Sequence, residues 1–483
     1  MNPSIASLIC ACGIGGLFYL NRDKSIRTSK ALWLPVVYLW IVGSRSVSAW
    51  LGVSPSAGTN VQLDGSPVDA AVFGVLLVAA IVVLSLRSSR TRTLLVTNWP
   101  IWIYIFYCLV SVTWSYYPGV SFKRWIKASD DIAMVLVILT DRQPVAALRR
   151  LFSRIGFLLL PTSVLLIKYY GYLGRAYDPS GGMSNTGVTT NKNVLGVVVL
   201  VISLGALWNL RELLVNKDEP HRGGRLLAQS ALLAFGLALF AMADSATSTA
   251  CFFLGGGLIL ATGLRAIRIR PARVHILCFA IILTGGVVLL FGGAGDAANA
   301  LGRQSNFSGR TEIWAAVIPA VSNPLVGDGY ESFWIGPDVQ KVWRSSSLAG
   351  WWHPEGLNEA HDGYIEVYLN LGWIGVGLLS LILISGYRRA VAAFRLNPSI
   401  GGLMLAYIVV AAVYSITEAG FRSPHPMWIF LLLGICGAVG VTAGLFGGKA
   451  SKTLTSRHGI RNGAAVSDEL VPEVDTLYAA SWF

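Results

Sequence analysis

Runs of apolar residues, most long enough to cross a bilayer and most set apart by short polar segments, dominate this chain of 483 residues. A spanning helix needs about 20 mostly apolar residues. Thirteen stretches approach that need, near 4–20, 31–50, 68–86, 97–115, 122–140, 153–170, 193–208, 226–243, 246–264, 274–292, 364–386, 401–418 and 427–447. The first is short and has no basic region ahead of it, so it does not read as a signal peptide. Charged residues make up 13% of the chain, where a soluble globular protein carries about 25%. The pattern predicts an all-α polytopic transmembrane bundle of 12–13 spans rather than a string of soluble domains.

The net charge of +13 is not spread evenly. Arginine and lysine gather in every second loop: around 22–30, 87–92, 142–154, 211–225, 265–273 and 388–395, and again from Lys449 to Arg461. These clusters hold 26 of the 38 basic residues, and residues 51–67 hold none. Such alternation is a topology signal and argues against a nucleic-acid surface. The positive-inside rule places the basic loops in the cytoplasm. The N-terminus then lies outside and the C-terminus inside. The polar segment 449–483 reads as a disordered cytoplasmic tail after a catalytic bundle spanning 1–448. The six cysteines all lie in apolar stretches without metal-ligand spacing, so neither a disulfide framework nor a zinc site is expected.

Four regions with polar groups then fall outside. They are 114–127, 169–193, the long loop 293–363 and 418–425. A connection of about seventy residues is usually functional or disordered. This one carries Trp314, Phe333, Trp334, Trp343, Trp351 and Trp352, enough apolar area to fold back on the membrane. Residues 308–321 read as a short amphipathic helix that Pro319 bends or ends, 323–333 as a turn, and 356–372 as the lead into the next span. On the span at 122–140, Lys127 stands four residues before Asp131 and three before Asp130, so it can pair with either on one helix face. Charges at membrane depth are functional candidates.

Three motifs stand in order: Gly309-Arg310 followed by Trp314, Asn323-Pro-Leu-Val-Gly327-Asp-Gly329, and Ala360-His361-Asp362-Gly-Tyr364. Upstream are Gly174-Arg175 and Gly187-Val-Thr-Thr-Asn-Lys-Asn193. Over roughly residues 100–440 this series resembles the bacterial O-antigen ligase and O-antigen or exopolysaccharide polymerase superfamily. One departure stands at Asp244-Ser-Ala-Thr-Ser-Thr249, where many members place an arginine after the serine and this chain has none.

The resemblance implies a glycan donor carried on a polyprenyl pyrophosphate, a sugar-hydroxyl acceptor, and no cofactor or metal. It also implies membrane lipids and chain-length or export proteins as surroundings. The leaving pyrophosphate needs its growing charge held, which arginine does with paired hydrogen bonds. The acceptor hydroxyl needs a base near neutral pH, for which histidine is suited. His361, Arg310 and Arg175 are therefore the expected catalytic residues. Lys192, Asn193, Arg124, Lys127, Asp362 and Tyr364 are the expected substrate contacts. The plainer alternative for an outside arginine is a side chain snorkelling to lipid headgroups, and His353 and His425 read as bland. A different functional class, a transporter or glycan flippase, also suits thirteen spans. Against it the sequence offers no repeat symmetry and no sign of paired broken helices.

Overall fold

The computed structural model describes residues 2–23, 28–53, 65–177, 182–291, 309–348 and 357–446. The 449–483 tail, His353 and the loop portions 292–308 and 349–356 lie outside the described residues. Fifteen helices of eight or more residues make up the body: α1 (Pro3–Leu20), α2 (Trp33–Val42), α3 (Pro67–Leu86), α4 (Ser88–Thr97), α5 (Trp99–Ser111), α6 (Pro118–Leu139), α7 (Pro144–Tyr169), α8 (Lys192–Val215), α9 (Arg222–Ala243), α10 (Ala246–Ala261), α11 (Arg273–Phe291), α12 (Arg310–Val317), α13 (Gly363–Leu396), α14 (Pro398–Tyr414) and α15 (Pro426–Thr442). A single two-stranded antiparallel ribbon, β1 (Arg175–Tyr177) with β2 (Met183–Asn185), joins α7 to α8. The chain is an all-α polytopic membrane protein.

Each of the thirteen apolar stretches falls on a helix, but their lengths differ from the expectation. Six helices among the described residues are long and apolar enough to cross a membrane: α1, α3, α7, α8, α9 and α13. The count is seven if α4 and the segment from Trp99 to Trp114, which meet at 79°, form one bent span. Five others run only 10–17 residues. In α6 the run Lys123, Arg124, Lys127, Asp130 and Asp131 makes the helix too polar for the same description. Burial explains the last two of the five. Nearly every residue of α14 and α15 is buried, and a helix that is apolar all round belongs in an interior. Phe152 of α7 stacks on Phe430 of α15 at 6.0 Å and meets Trp208 of α8 edge-on at 6.3 Å, fixing the centre of the bundle.

Four of the basic loops, 22–30, 87–92, 142–154 and 211–225, meet at one end. Arg149 pairs with Glu219 at 2.8 Å and Arg225 with Glu219 at 2.7 Å and Asp23 at 3.5 Å. Arg150 donates to Thr28 at 2.7 Å, and Arg87 lies 4.0 Å from Asp141. The first helix runs from end to end. Ser7 meets Tyr170 at the opposite end (2.8 Å), while Asn21 meets Gln229 beside the basic loops (3.0 Å).

At the other end the described parts of the long loop, 309–348 and 357–363, fold with the start of α13 into a cap with its own small core of Ile313, Val317, Phe333, Val342, Leu348 and Leu369. Pro319 sits in the 3-10 turn that closes α12, as expected. The 323–329 motif has a definite structural task. Helix α13 breaks at Gly372 (φ 62°, ψ −165°), and the motif docks its backbone on the break. Asp328 and Gly329 donate to the carbonyls of Leu369 and Asn370 at 3.1 and 2.9 Å. Trp373 and Ile374 donate back to Pro324 and Leu325 at 2.9 and 3.1 Å. A Cβ on Gly372 would stand 2.3 Å from the Leu325 carbonyl carbon, and one on Gly327 2.4 Å from the Leu371 nitrogen. Irregular backbone at membrane depth survives only where protein satisfies it. The break at Gly372 was not placed by the sequence reading.

Candidate active site

The cap and the bundle meet where Arg310, the first residue of α12, faces the turn after α14. Arg310 Nη2 donates to Glu418 Oε1 at 2.9 Å. Asn193, at the start of α8, donates its amide to both oxygens of Glu418 at 3.3 and 3.2 Å. His361 enters from the residues before α13, with Nδ1 3.1 Å from Glu359 Oε1 and 3.8 Å from Glu418 Oε2. Arg422 Nη1 completes the row, 3.5 Å from Glu359 Oε2. Positive and negative groups therefore alternate: Arg310, Glu418, His361, Glu359, Arg422.

Glu418 is only 6% exposed. Buried carboxylates persist where cations or hydrogen-bond donors hold them, and here both are present. His361 has φ 51° and Glu331 φ 52°, two of the four non-glycine residues with left-handed backbone among the described residues. Such conformations cost roughly 1–3 kcal/mol each and collect at functional sites. The Nδ1 atom of His361 is buried and makes no aligned hydrogen bond. Burial pulls the imidazole towards its neutral form. The carboxylates of Glu418 and Glu359 outweigh burial and the repulsion of Arg310, so its pKa stands above the ordinary 6.5.

Arg310, His361 and Asn193 thus come together, and the remaining expected residues are placed elsewhere or spent on structure. Asp362 is the N-cap of α13, accepting from the backbone of Tyr364 and Ile365 at 2.8 Å. Burial pushes its carboxyl up to about 6, against those two bonds. Tyr364 donates to the Ala412 carbonyl at 3.0 Å and sets its ring edge-on to Phe421. Lys192 is exposed at the head of α8. Arg175 lies on β1 and donates to the Ile167 carbonyl at 3.1 Å. Arg124 donates to the Glu331 carbonyl. Lys127 stands over the Phe73 ring at 5.6 Å.

The pairing of Lys127 with Asp131 is not made. Asp131 takes the Tyr38 hydroxyl at 2.6 Å and the Ser423 hydroxyl instead. Helix spacing made that pair possible, but two neutral donors from other segments reach the carboxylate in the interior. His425 has the bland role expected of it. It caps α15, accepting from Met427 at 3.2 Å, and burial with Arg422 beside it pushes it down to about 3.

Glu359, His361 and Glu418 each offer a ligand atom within 4.8 Å of the others, a spacing a divalent ion could bridge. Arg310 and Arg422 already balance those two carboxylates.

Sequence reasoning placed Glu418 and Arg422 only within the outside stretch 418–425, and read Glu359 as an acceptor-steering or solvated carboxylate, without joining the three in one site. The available signal was weak: Glu418 closes an apolar run with a carboxylate, which membrane energetics disfavours unless it is paired. Its partner Arg310 is 108 residues away.

Residues 231–380, from α9 into α13, match the family model described as O-antigen ligase. That stretch contains Arg310, Glu359 and His361 and excludes Arg175, Asn193, Glu418 and Arg422. The chain is also 28% identical over 348 residues to the exopolysaccharide production protein ExoQ of Rhizobium meliloti (strain 1021), covering 69% of this chain and 75% of that protein. The order of motifs, the cap they build over a helical bundle and these two matches agree: the chain is similar to proteins of the O-antigen ligase family and to an exopolysaccharide production protein.

Proposed function

We propose that this protein transfers an oligosaccharide from a polyprenyl-pyrophosphate donor to a sugar hydroxyl on the periplasmic face of the inner membrane. We read it as a polymerase of exopolysaccharide repeat units rather than a ligase. The observation that carries the proposal is the meeting of Arg310 and His361, from two motifs of the cap, on one buried carboxylate of the bundle. The likeness to an exopolysaccharide production protein supports the choice of polymerase. The concentration of arginine and lysine at the opposite end supports a periplasmic site and a cytoplasmic C-terminus.

In this reading the acceptor oxygen attacks the anomeric carbon as the bond to the pyrophosphate oxygen breaks. The acceptor proton passes to His361, whose raised basicity suits the task. Lipid pyrophosphate departs with its negative charge held by Arg310, and Arg175 and Lys192 approach the donor from the β1–α8 side. Asn193 holds the carboxylate that Arg310 leans on. Arg124 and Lys127 line the approach of the lipid phosphate. Asp362 and Tyr364 act on substrate only by fixing the helix start beside His361. Arg310 and Arg422 already balance the Glu418 and Glu359 carboxylates, which supports a metal-independent reaction, so turnover is expected to survive a chelator.

Glycan analysis of a deletion strain tests the proposal. Accumulated single repeat units on lipid are expected. Accumulated long lipid-linked chains would make the protein a ligase, and an unchanged glycan profile would remove the proposed role.

A further inference from the structure

We propose that Glu418 is a positioning residue that links donor binding to the strength of the base. The inference rests on the reading of Arg310 as phosphate ligand and His361 as base. Arg310 and His361 both belong to the cap, whereas Glu418 belongs to the turn between α14 and α15 in the bundle. Its two oxygens are divided between them. Oε1 takes Arg310 at 2.9 Å, Oε2 faces His361 Nδ1 at 3.8 Å, and the Asn193 amide bridges both. One carboxylate, almost wholly buried, thus fixes groups from three separate segments.

The charged groups facing His361 are Glu359 beside it, Glu418 across it and Arg310 beyond Glu418. Arg422 in turn faces Glu359. With the site empty of donor, Arg310 cancels much of the Glu418 charge. A pyrophosphate oxygen competes for that guanidinium, because arginine binds phosphate with strong paired hydrogen bonds. Glu418 is then left with Asn193 and His361. Its charge falls more fully on the imidazole and favours the protonated ring. The base strengthens when, and only when, a donor is in place, so that an acceptor hydroxyl is not engaged ahead of its partner.

The titration of His361 can be followed by carbethoxylation with diethyl pyrocarbonate across pH. The labelled peptide is read by mass spectrometry on the full-length protein, and inorganic pyrophosphate serves as the probe. Wild type is expected to show a midpoint above 6.5 that rises by about one pH unit with pyrophosphate. Glu418→Gln keeps an acceptor for Arg310 but loses the charge. It should lower the resting midpoint and remove the pyrophosphate response, while Glu418→Asp restores part of both. A midpoint and response in Glu418→Gln equal to wild type overturns the proposal. So does a loss of glycan product in Glu418→Gln with the titration unmoved, which would mark a purely structural role. The underlying reading fails separately: polymer made by His361→Ala at normal membrane level removes the base, whatever the titration shows.

Discussion

The two ends of the bundle are closed by the same kind of bond and do different things with it. At the basic end Glu219 holds Arg149 and Arg225 at once. Burial alone would raise its carboxyl, but the two guanidiniums overcome that and hold it below its usual range. Fixed charges there pin loop to loop, and the arrangement has one state over the physiological pH range. At the cap end the same arginine–carboxylate pairs flank a histidine. One titratable ring between two carboxylates turns a clamp into a device whose charge changes near neutral pH. Ion pairs by themselves therefore do not mark a site in this protein; the group placed between them does.

Substitutions can break that comparison in order of size. Arg310→Ala or His361→Ala should remove glycan product by at least about 100-fold, the scale of losing a group that acts on transition-state charge, while the protein stays in the membrane at normal level. Product from either variant near the wild-type amount would place the chemistry elsewhere. Gly372→Ala puts a side chain into the left-handed region and against the Leu325 backbone. Its membrane level and thermal stability should fall together, and a fully stable variant would mean that the splice at Gly372 can relax. Arg175→Ala is expected to raise the KM for lipid-linked donor by about tenfold, the value of one charge-assisted hydrogen bond of about 1.5 kcal/mol, with kcat less affected. Equal loss in kcat would move Arg175 into the reacting centre. At the other end, Arg225→Ala cuts two pairs at 2.7 and 3.5 Å. It should lower Tm by a few degrees, as about 1 kcal/mol does in a chain of moderate size, and leave product per molecule unchanged.

Much of this was legible before any coordinates, and what was not has a physical reason. Apolar stretches of helix length announce themselves one by one, so all thirteen fell on helices. Their lengths did not, because α14 and α15 are sheathed by other helices and need not match the bilayer alone. Motif order brought out Arg310 and His361, yet the residue they share, Glu418, acquires meaning only through contacts across more than fifty residues of sequence. Lys127 and Asp131 show the reverse error. Their spacing suggested a partner, and Tyr38 and Ser423, far away in the chain, supplied better ones. Local periodicity reports what a segment can do alone; a buried polar network is decided by which segments arrive together.

The splice at Gly372 carries one more consequence. Two backbone bonds tie the first turns of α13 to the 323–329 loop, where a continuous helix would bond them to the turn that follows, and two more tie that loop to the start of the second half. The stretch that ends in His361 is therefore grafted to the cap, much as a scion is to its stock, and Arg310 belongs to the same graft. Exchanging residues 309–371 as a block with a similar protein should carry acceptor preference with it, while the bundle goes on supplying Glu418 and Asn193 unchanged.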